Sequence, residues 1–205
     1  MLKDLIRKTH RVLVFNRRQD VLAQGLSAFL IGNNDVIDVG TGDGSVARQV
    51  KDLMGDITVT GIDVLVRPST YLEVRQFDGK KIPFEDDSVD AVTFVDVLHH
   101  CENPQELLNE AARISRTCVV IKDHLAENWF DHIVLRFMDW VGNAPHGIAL
   151  PYEYASREIW EARFREAGLE VEKFTTDIKL YPWPFSLVFG RNLHFLVRLR
   201  HETGK

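Results

Sequence analysis

The 205 residues, 45% hydrophobic and 27% charged, have the composition of one globular domain that can bury a core without a disulfide or structural metal. A formal net charge of -5 argues against broad nucleic-acid binding, which rests on Lys and Arg neutralising phosphates. No apolar run is as long as a membrane span, and MLKDLIRKTHRVLVFNRR lacks the apolar block and cleavage site of a signal peptide, so the expected location is cytoplasmic.

Residues 2 to about 31 read as helical, because Leu22, Leu26, Phe29 and Leu30 recur at the spacing of a single helix face. The basic run Arg7, Lys8, Arg11, Arg17 and Arg18 reads as a solvated face, contact with an anionic substrate being the alternative. GNND breaks the helix. The spacing then predicts a short apolar strand at 36–40, a helix over SVARQVKDLM, and strands at 57–64, 71–79 and 90–98, the last apolar on both faces. Asn103 as N-cap, Pro104 at the first position and Glu106 completing a capping box open the next helix, with Leu107, Leu108, Ala111 and Ile114 inward. TCVVIKDHL (117–125) is the fifth strand. Residues 128–142 form an amphipathic helix whose Trp129, Phe130, Phe137, Met138 and Trp140 are expected to pack against the sheet. A helix at 156–168 turns Trp160, Phe164 and Ala167 inward, and strands near 170–180 and 192–200 flank YPWPF. Cys101 and Cys118 have neither a disulfide framework nor zinc spacing and read as ordinary thiols.

Alternating strands and helices predict a parallel sheet covered on both faces, which binds ligands beyond the carboxyl ends of its strands. Those ends carry Asp38 to Gly44, Asp63, Asp78 with Gly79, Asp96 to His100, and Asp123 with His124. In VIDVGTGDG, three glycines let the backbone turn beneath a bulky ligand, while Asp38 in a buried strand costs stability unless it finds hydrogen bonds. The glycine spacing is G-x-G-x-G, not the dinucleotide fingerprint G-x-G-x-x-G. Asp63 can accept both hydroxyls of an adenosine ribose, and Asp78 can accept from an adenine amino group. Three carboxylates would repel a pyrophosphate, whereas the ammonium and sulfonium of S-adenosylmethionine suit an acid near the turn.

Together VIDVGTGDG, GIDV, FDGKKIPFEDDSVDAV and DVLHHCENP resemble the successive motifs of the class I S-adenosylmethionine-dependent methyltransferases, specifically the type 11 group related to ubiquinone and menaquinone methyltransferases. The resemblance is continuous from about residue 34 to 122. It implies an α/β fold: a Rossmann-like seven-stranded mixed sheet of order 3-2-1-4-5-7-6, last strand antiparallel, with helices on both faces. It further implies one domain over 1–205, with an N-terminal helical segment (1–31), a cofactor-binding half (34–122) and a substrate-side half (123–205). The implied cofactor is S-adenosylmethionine, with S-adenosylhomocysteine as product. Gly40, Thr41 and Gly42 would approach it by backbone, with Asp38 near the methionyl tail. Asp63 would bind the ribose with Val64 beside it, Asp78 and Gly79 would flank the adenine, and Asp96 and Val97 would sit beside the sulfonium. Two departures stand out: Val89 replaces a usual aromatic, and Asp96 adds negative charge where the family is often smaller or neutral.

Methyl transfer from a sulfonium is an in-line displacement, needing an aligned nucleophile and, for a hydroxyl, acidic carbon or protonated amine, a base. His124 is the favoured base, with Asp123 or Asp96 orienting it, while His99 and His100 read as pocket wall. No metal is expected, since adjacent residues on an extended chain point apart. A small-molecule acceptor, O, N or C, is expected against a lid carrying Arg136, Asp139, Asn143, His146, Tyr152 and Tyr154; Trp183, Arg191 and His194 carry no assignment. Absence of N/D-P-P-Y/F after the fourth strand disfavours an adenine or glutamine amide nitrogen. The rivals are a nicotinamide oxidoreductase, which lacks its Tyr-x-x-x-Lys pair, a non-catalytic S-adenosylmethionine-binding regulatory protein, and methylation of RNA or an anionic lipid through the basic N-terminal helix.

Overall fold

The computed structural model describes residues 17–143, 154–183, 186–190 and 192–202. Within the predicted N-terminal helix, α1 spans Arg17–Phe29 and buries Leu22, Ala23, Leu26 and Phe29, the 3.6-residue stripe of its sequence. Arg7, Lys8 and Arg11 lie outside the described residues, as do His146, Tyr152 and Arg191.

Strand β1 (Asp35–Val39) runs through the middle of the sheet, and α2 (Ser45–Met54) follows the glycine turn. Then come β2 (Thr58–Asp63), β3 (Val74–Gln76), β4 (Val89–Val95), a 3-10 turn at Leu98–His100, α3 (Pro104–Ile114) and β5 (Ser115–His124). The chain continues through α4 (Trp129–Asn143), α5 (Arg157–Glu166), β6 (Leu169–Thr175), the one-turn α6 (Ser186–Phe189) and β7 (His194–His201). The seven strands form one sheet of order β3-β2-β1-β4-β5-β7-β6, with β7 antiparallel to both its neighbours, as the resemblance implies.

Side-chain alternation decides which layer each residue joins. Ile37 and Val39 of β1 pack with α3 and α5 through Leu108, Ala111, Trp160 and Phe164, whereas Val36 packs on the opposite face with Leu22 and Leu26 of α1 and Val50 of α2. Both faces of the central strands are therefore dry, which is why they read as near-continuous apolar runs.

Three expectations are corrected. The third strand is three residues long rather than 71–79, because β3 pairs only with β2 and its far side lies at the sheet edge. Asn103 makes no side-chain cap to its helix; its Nδ2 donates instead to Glu106 Oε1 at 2.9 Å. The aromatics of α4 do not line the sheet: Trp129 is 74%, Phe137 54% and Trp140 58% exposed. The inner stripe of that helix is Val134 and Leu135, which pack with Tyr154 and Leu193.

Candidate active site

The carboxyl ends of β1, β2, β4 and β5 meet on one side of the sheet. At β1 the backbone N–H groups of Gly40 and Thr41 donate to Ile62 O at 2.8 and 3.2 Å, tying the turn to β2. Gly40 has φ +71, and a Cβ there would lie 2.5 Å from Val97 Cγ2, so only glycine fits between the turn and the end of β4. Gly61, inside β2, has the same constraint from the other direction: a Cβ would lie 2.5 Å from Thr41 Cγ2. The turn is thus a bare backbone cradle with room kept on purpose-built small residues.

Carboxylates hold this cradle. Asp63 accepts from Gly42 N at 2.8 Å with one oxygen and from Leu65 N at 3.0 Å with the other. Each carboxylate oxygen has two lone-pair directions, so Asp63 keeps accepting capacity for a ligand. Asp38 is buried on the α1–α2 side of the sheet and accepts from the Thr93 hydroxyl at 2.6 Å. Burial raises its pKa, which the Thr41 and Thr93 hydroxyls offset in part. Asp78 is exposed and accepts from the backbone N–H groups of Lys80 and Lys81, both at 2.8 Å, which lower its pKa. Gly79 follows at φ +80, and Val64 is exposed beside Asp63.

From α1, Arg18 pairs with Asp96, and Gln19 Nε2 donates to Ser45 Oγ at 2.5 Å, so the first turn of this helix bridges the two sides of the cleft. Asp96 itself ends β4 with φ +57, a left-handed conformation that costs a non-glycine residue roughly 1–3 kcal/mol. That conformation is held by ion pairs: the Asp96 carboxylate contacts both Arg18 and Lys122 Nζ. Burial alone would raise its pKa, but the two cations, Lys122 first, hold it well below the carboxylate range.

On β5, Asp123 is fully buried and saturated. It accepts from Leu98 N at 3.0 Å and His124 N at 2.7 Å, and its Oδ1 lies 2.6 Å from His99 Nδ1. Burial opposes ionisation, yet the charge of His99 and the His124 and His99 hydrogen bonds keep its pKa depressed. The imidazole that Asp123 grips most closely is therefore His99. His124 stands next in line, its Nδ1 3.2 Å from His99 Nδ1 and 3.6 Å from Asp123 Oδ1, and its Nε2 4.0 Å from Asp96 Oδ1. Trp160 Nε1 donates to His124 O at 3.1 Å and locks the strand end. Burial lowers the His124 pKa, with His99 adding to the effect, so the ring rests neutral at pH 7.

Sequence reasoning missed three members of this cluster. Lys122 is completely buried on β5, His194 is buried on β7 directly opposite His124, and His99 is the partner of Asp123 rather than plain wall. Lysine inside the apolar run TCVVIKDHL was the available signal, since a buried ammonium requires a partner. Among the described residues, Asp96, His124 and His194 lie within metal-ligating reach of one another, as do His99, Asp123 and His124. In the first group the Lys122 ammonium already contacts Asp96 and lies 3.2 Å from His194 Nδ1.

Residues 37–118 match the family model described as a methyltransferase domain. This segment is similar to the type 11 group of class I methyltransferases. The match and the shared fold support a methyl-transferring enzyme, and the family that the segment resembles implies S-adenosylmethionine as methyl donor. No curated protein matches it. Solved structures share the fold at low identity. An S-adenosylmethionine-dependent methyltransferase from Mesorhizobium loti is 18% identical with TM-score 0.63, over 86% of this chain and 95% of that one. The YcgJ protein of Bacillus subtilis is 15% identical with TM-score 0.64, over 89% and 99%. A chain from the Haloferax volcanii complex containing the Trm112 methyltransferase activator is 19% identical with TM-score 0.67, over 97% and 93%. No helix among the described residues is long and apolar enough to cross a membrane.

Proposed function

We propose that this methyltransferase, acting as one domain over its 205 residues, methylates O, N or C of a small molecule, with His124 as base. The carrying observation is a buried neutral imidazole set between two carboxylates, Asp123 at 3.6 Å and Asp96 at 4.0 Å, at the carboxyl end of β5 on the same side of the sheet as the glycine turn. A methyl donor bound at that turn supplies an electrophilic carbon. The bare cradle at Gly40 and Gly42, the spare accepting capacity of Asp63 and the buried acid Asp38 suit an adenosyl ligand with a cationic tail. Asp78 with Gly79 would flank the adenine, Val64 would sit beside the ribose, and Asp96 with Val97 would face the reacting end.

His124 suits proton removal because burial keeps its resting form neutral, while on protonation both ring N–H groups face carboxylates. Asp123 positions this ring through the His124 backbone N–H and through His99, whose own Nδ1–H it accepts. Tyr154 is buried with its ring centroid 5.8 Å from that of His124 and packs against this ring.

The test is calorimetric binding of S-adenosylmethionine and S-adenosylhomocysteine, followed by an acceptor screen for methyl transfer. Micromolar affinity, about -8 kcal/mol, is expected for both ligands, and reduced nicotinamide cofactors should not bind. Absence of adenosyl binding would withdraw the reading.

A further inference from the structure

The side of the cleft formed by α1, β4, β5 and β7 carries more cationic charge and more hydrogen-bond donors than its own acceptors use. Among the described residues Arg18 and Lys122 are two cations sharing one carboxylate, Asp96, which leaves a net charge of +1 in this trio. The other nearby carboxylate, Asp123, is committed to His99, Leu98 and His124. Burying unbalanced charge is costly, so a site that keeps it needs an opposite charge to complete it.

The donor count agrees. Arg18 is 30% exposed at its side chain, and among the described residues its guanidinium contacts Asp96 and nothing else. Among the described residues most of its five N–H donors are therefore left without an acceptor, in the fork geometry that matches an oxyanion. Lys122, 1% exposed, gives two of its three N–H groups to Asp96 Oδ1 and His194 Nδ1. That second contact fixes a tautomer: an ammonium only donates, so His194 Nδ1 accepts and the ring carries its proton on Nε2. This buried Nε2 has no partner among the described residues, which adds a further unclaimed donor beside Lys122.

We propose that Arg18 and Lys122 seat the anionic oxygen of the methyl acceptor, which is therefore a small molecule bearing a carboxylate or a phosphate. This rests on the methyltransferase reading above, in which a cationic donor lies alongside Asp96 and deepens the need for an anion. A divalent cation between Asp96, His124 and His194 is the opposite choice, and two fixed cations oppose it. The seat consists of one half-buried guanidinium and one buried ammonium, which fits a single ligand group entering a cleft rather than a polyanionic surface. The alternative role for the basic N-terminal run, contact with an anionic substrate, thus falls to one of its members, Arg18.

The experiment titrates benzoate, phenyl phosphate and the uncharged benzamide into the full-length protein, with and without saturating S-adenosylhomocysteine, by calorimetry. At least one anion should bind about ten-fold or more tightly than benzamide, and comparing the two anions separates carboxylate from phosphate. Arg18→Gln and Lys122→Met should each abolish that preference while S-adenosylhomocysteine affinity stays within about two-fold, which also reports an intact fold. Arg18 is partly exposed, so its variant decides the matter even if Lys122→Met fails to fold. Equal binding of anions and benzamide, no binding of either anion, or a preference that survives Arg18→Gln would overturn the seat. Loss of S-adenosylhomocysteine binding by the wild type would instead strike the proposed function, and the titrations without it would still judge the seat.

Discussion

On the β1–β2 side of the cleft the groups offered to a ligand are main chain, supported by carboxylates that tie down loops; on the β4–β5–β7 side they are charged side chains packed into the protein. Asp63 spends its oxygens on the N–H groups of Gly42 and Leu65, whereas Asp96 spends its on Arg18 and Lys122, two residues far away in sequence. The first side holds shape and the second holds charge. Such a division suits an enzyme that binds a constant donor through shape and handles a particular acceptor through electrostatics.

The division predicts that damage to the two sides separates in kinetics. The largest effect belongs to His124→Gln, which should lower turnover roughly 10²–10⁴-fold while leaving S-adenosylhomocysteine affinity within about two-fold. Because burial lowers the His124 pKa, turnover in the wild type should stay flat on acidification past the ordinary imidazole value of about 6.5 and fall only below it. A fall beginning above that value would remove the neutral resting base. Gly40→Ala should act on the other side. The left-handed φ and the Cβ placed against Val97 should together cost about 3 kcal/mol in urea unfolding and remove adenosyl-ligand binding.

Asp63→Asn keeps the size of the side chain but weakens its hold on the turn, so adenosyl affinity should drop about ten-fold with turnover at saturation little changed. Unchanged affinity would mean that the turn needs no carboxylate.

Asp123→Asn tests the charge-built side by stability. Since the folded pKa of Asp123 lies below its unfolded value of about 3.9, its contribution is full above that pH and is lost as the pH falls through the folded value. The gap between wild-type and Asp123→Asn unfolding free energies should therefore be widest near neutrality and close under acid; a gap independent of pH would contradict the ionised pair. The smallest effect concerns the thiols. Burial pushes Cys101 and Cys118 up to about 11, so maleimide labelling at pH 8 should run about a hundredfold slower than for a free cysteine thiol.

Much of the shape-built side was legible in the chain. VIDVGTGDG and GIDV announce a strand, a turn and an acid because main-chain geometry is written locally, in glycines and strand-end carboxylates. The β-branched runs likewise placed all seven strands, though not the shortness of β3, where the sheet edge overrides propensity.

What the sequence by itself determined was the alternation of strands and helices, the bare turn after β1 and the resemblance to a methyltransferase domain. Tertiary structure alone decided that Asp123 grips His99 before His124, that Lys122 and His194 meet Asp96, and that Arg18 reaches across from α1. The reason is physical. A charge buried in a strand must find its partner wherever the fold brings one, and Arg18, Asp96, Lys122 and His194 are joined by α1, β4, β5 and β7, whose adjacency exists only once the sheet has closed its order.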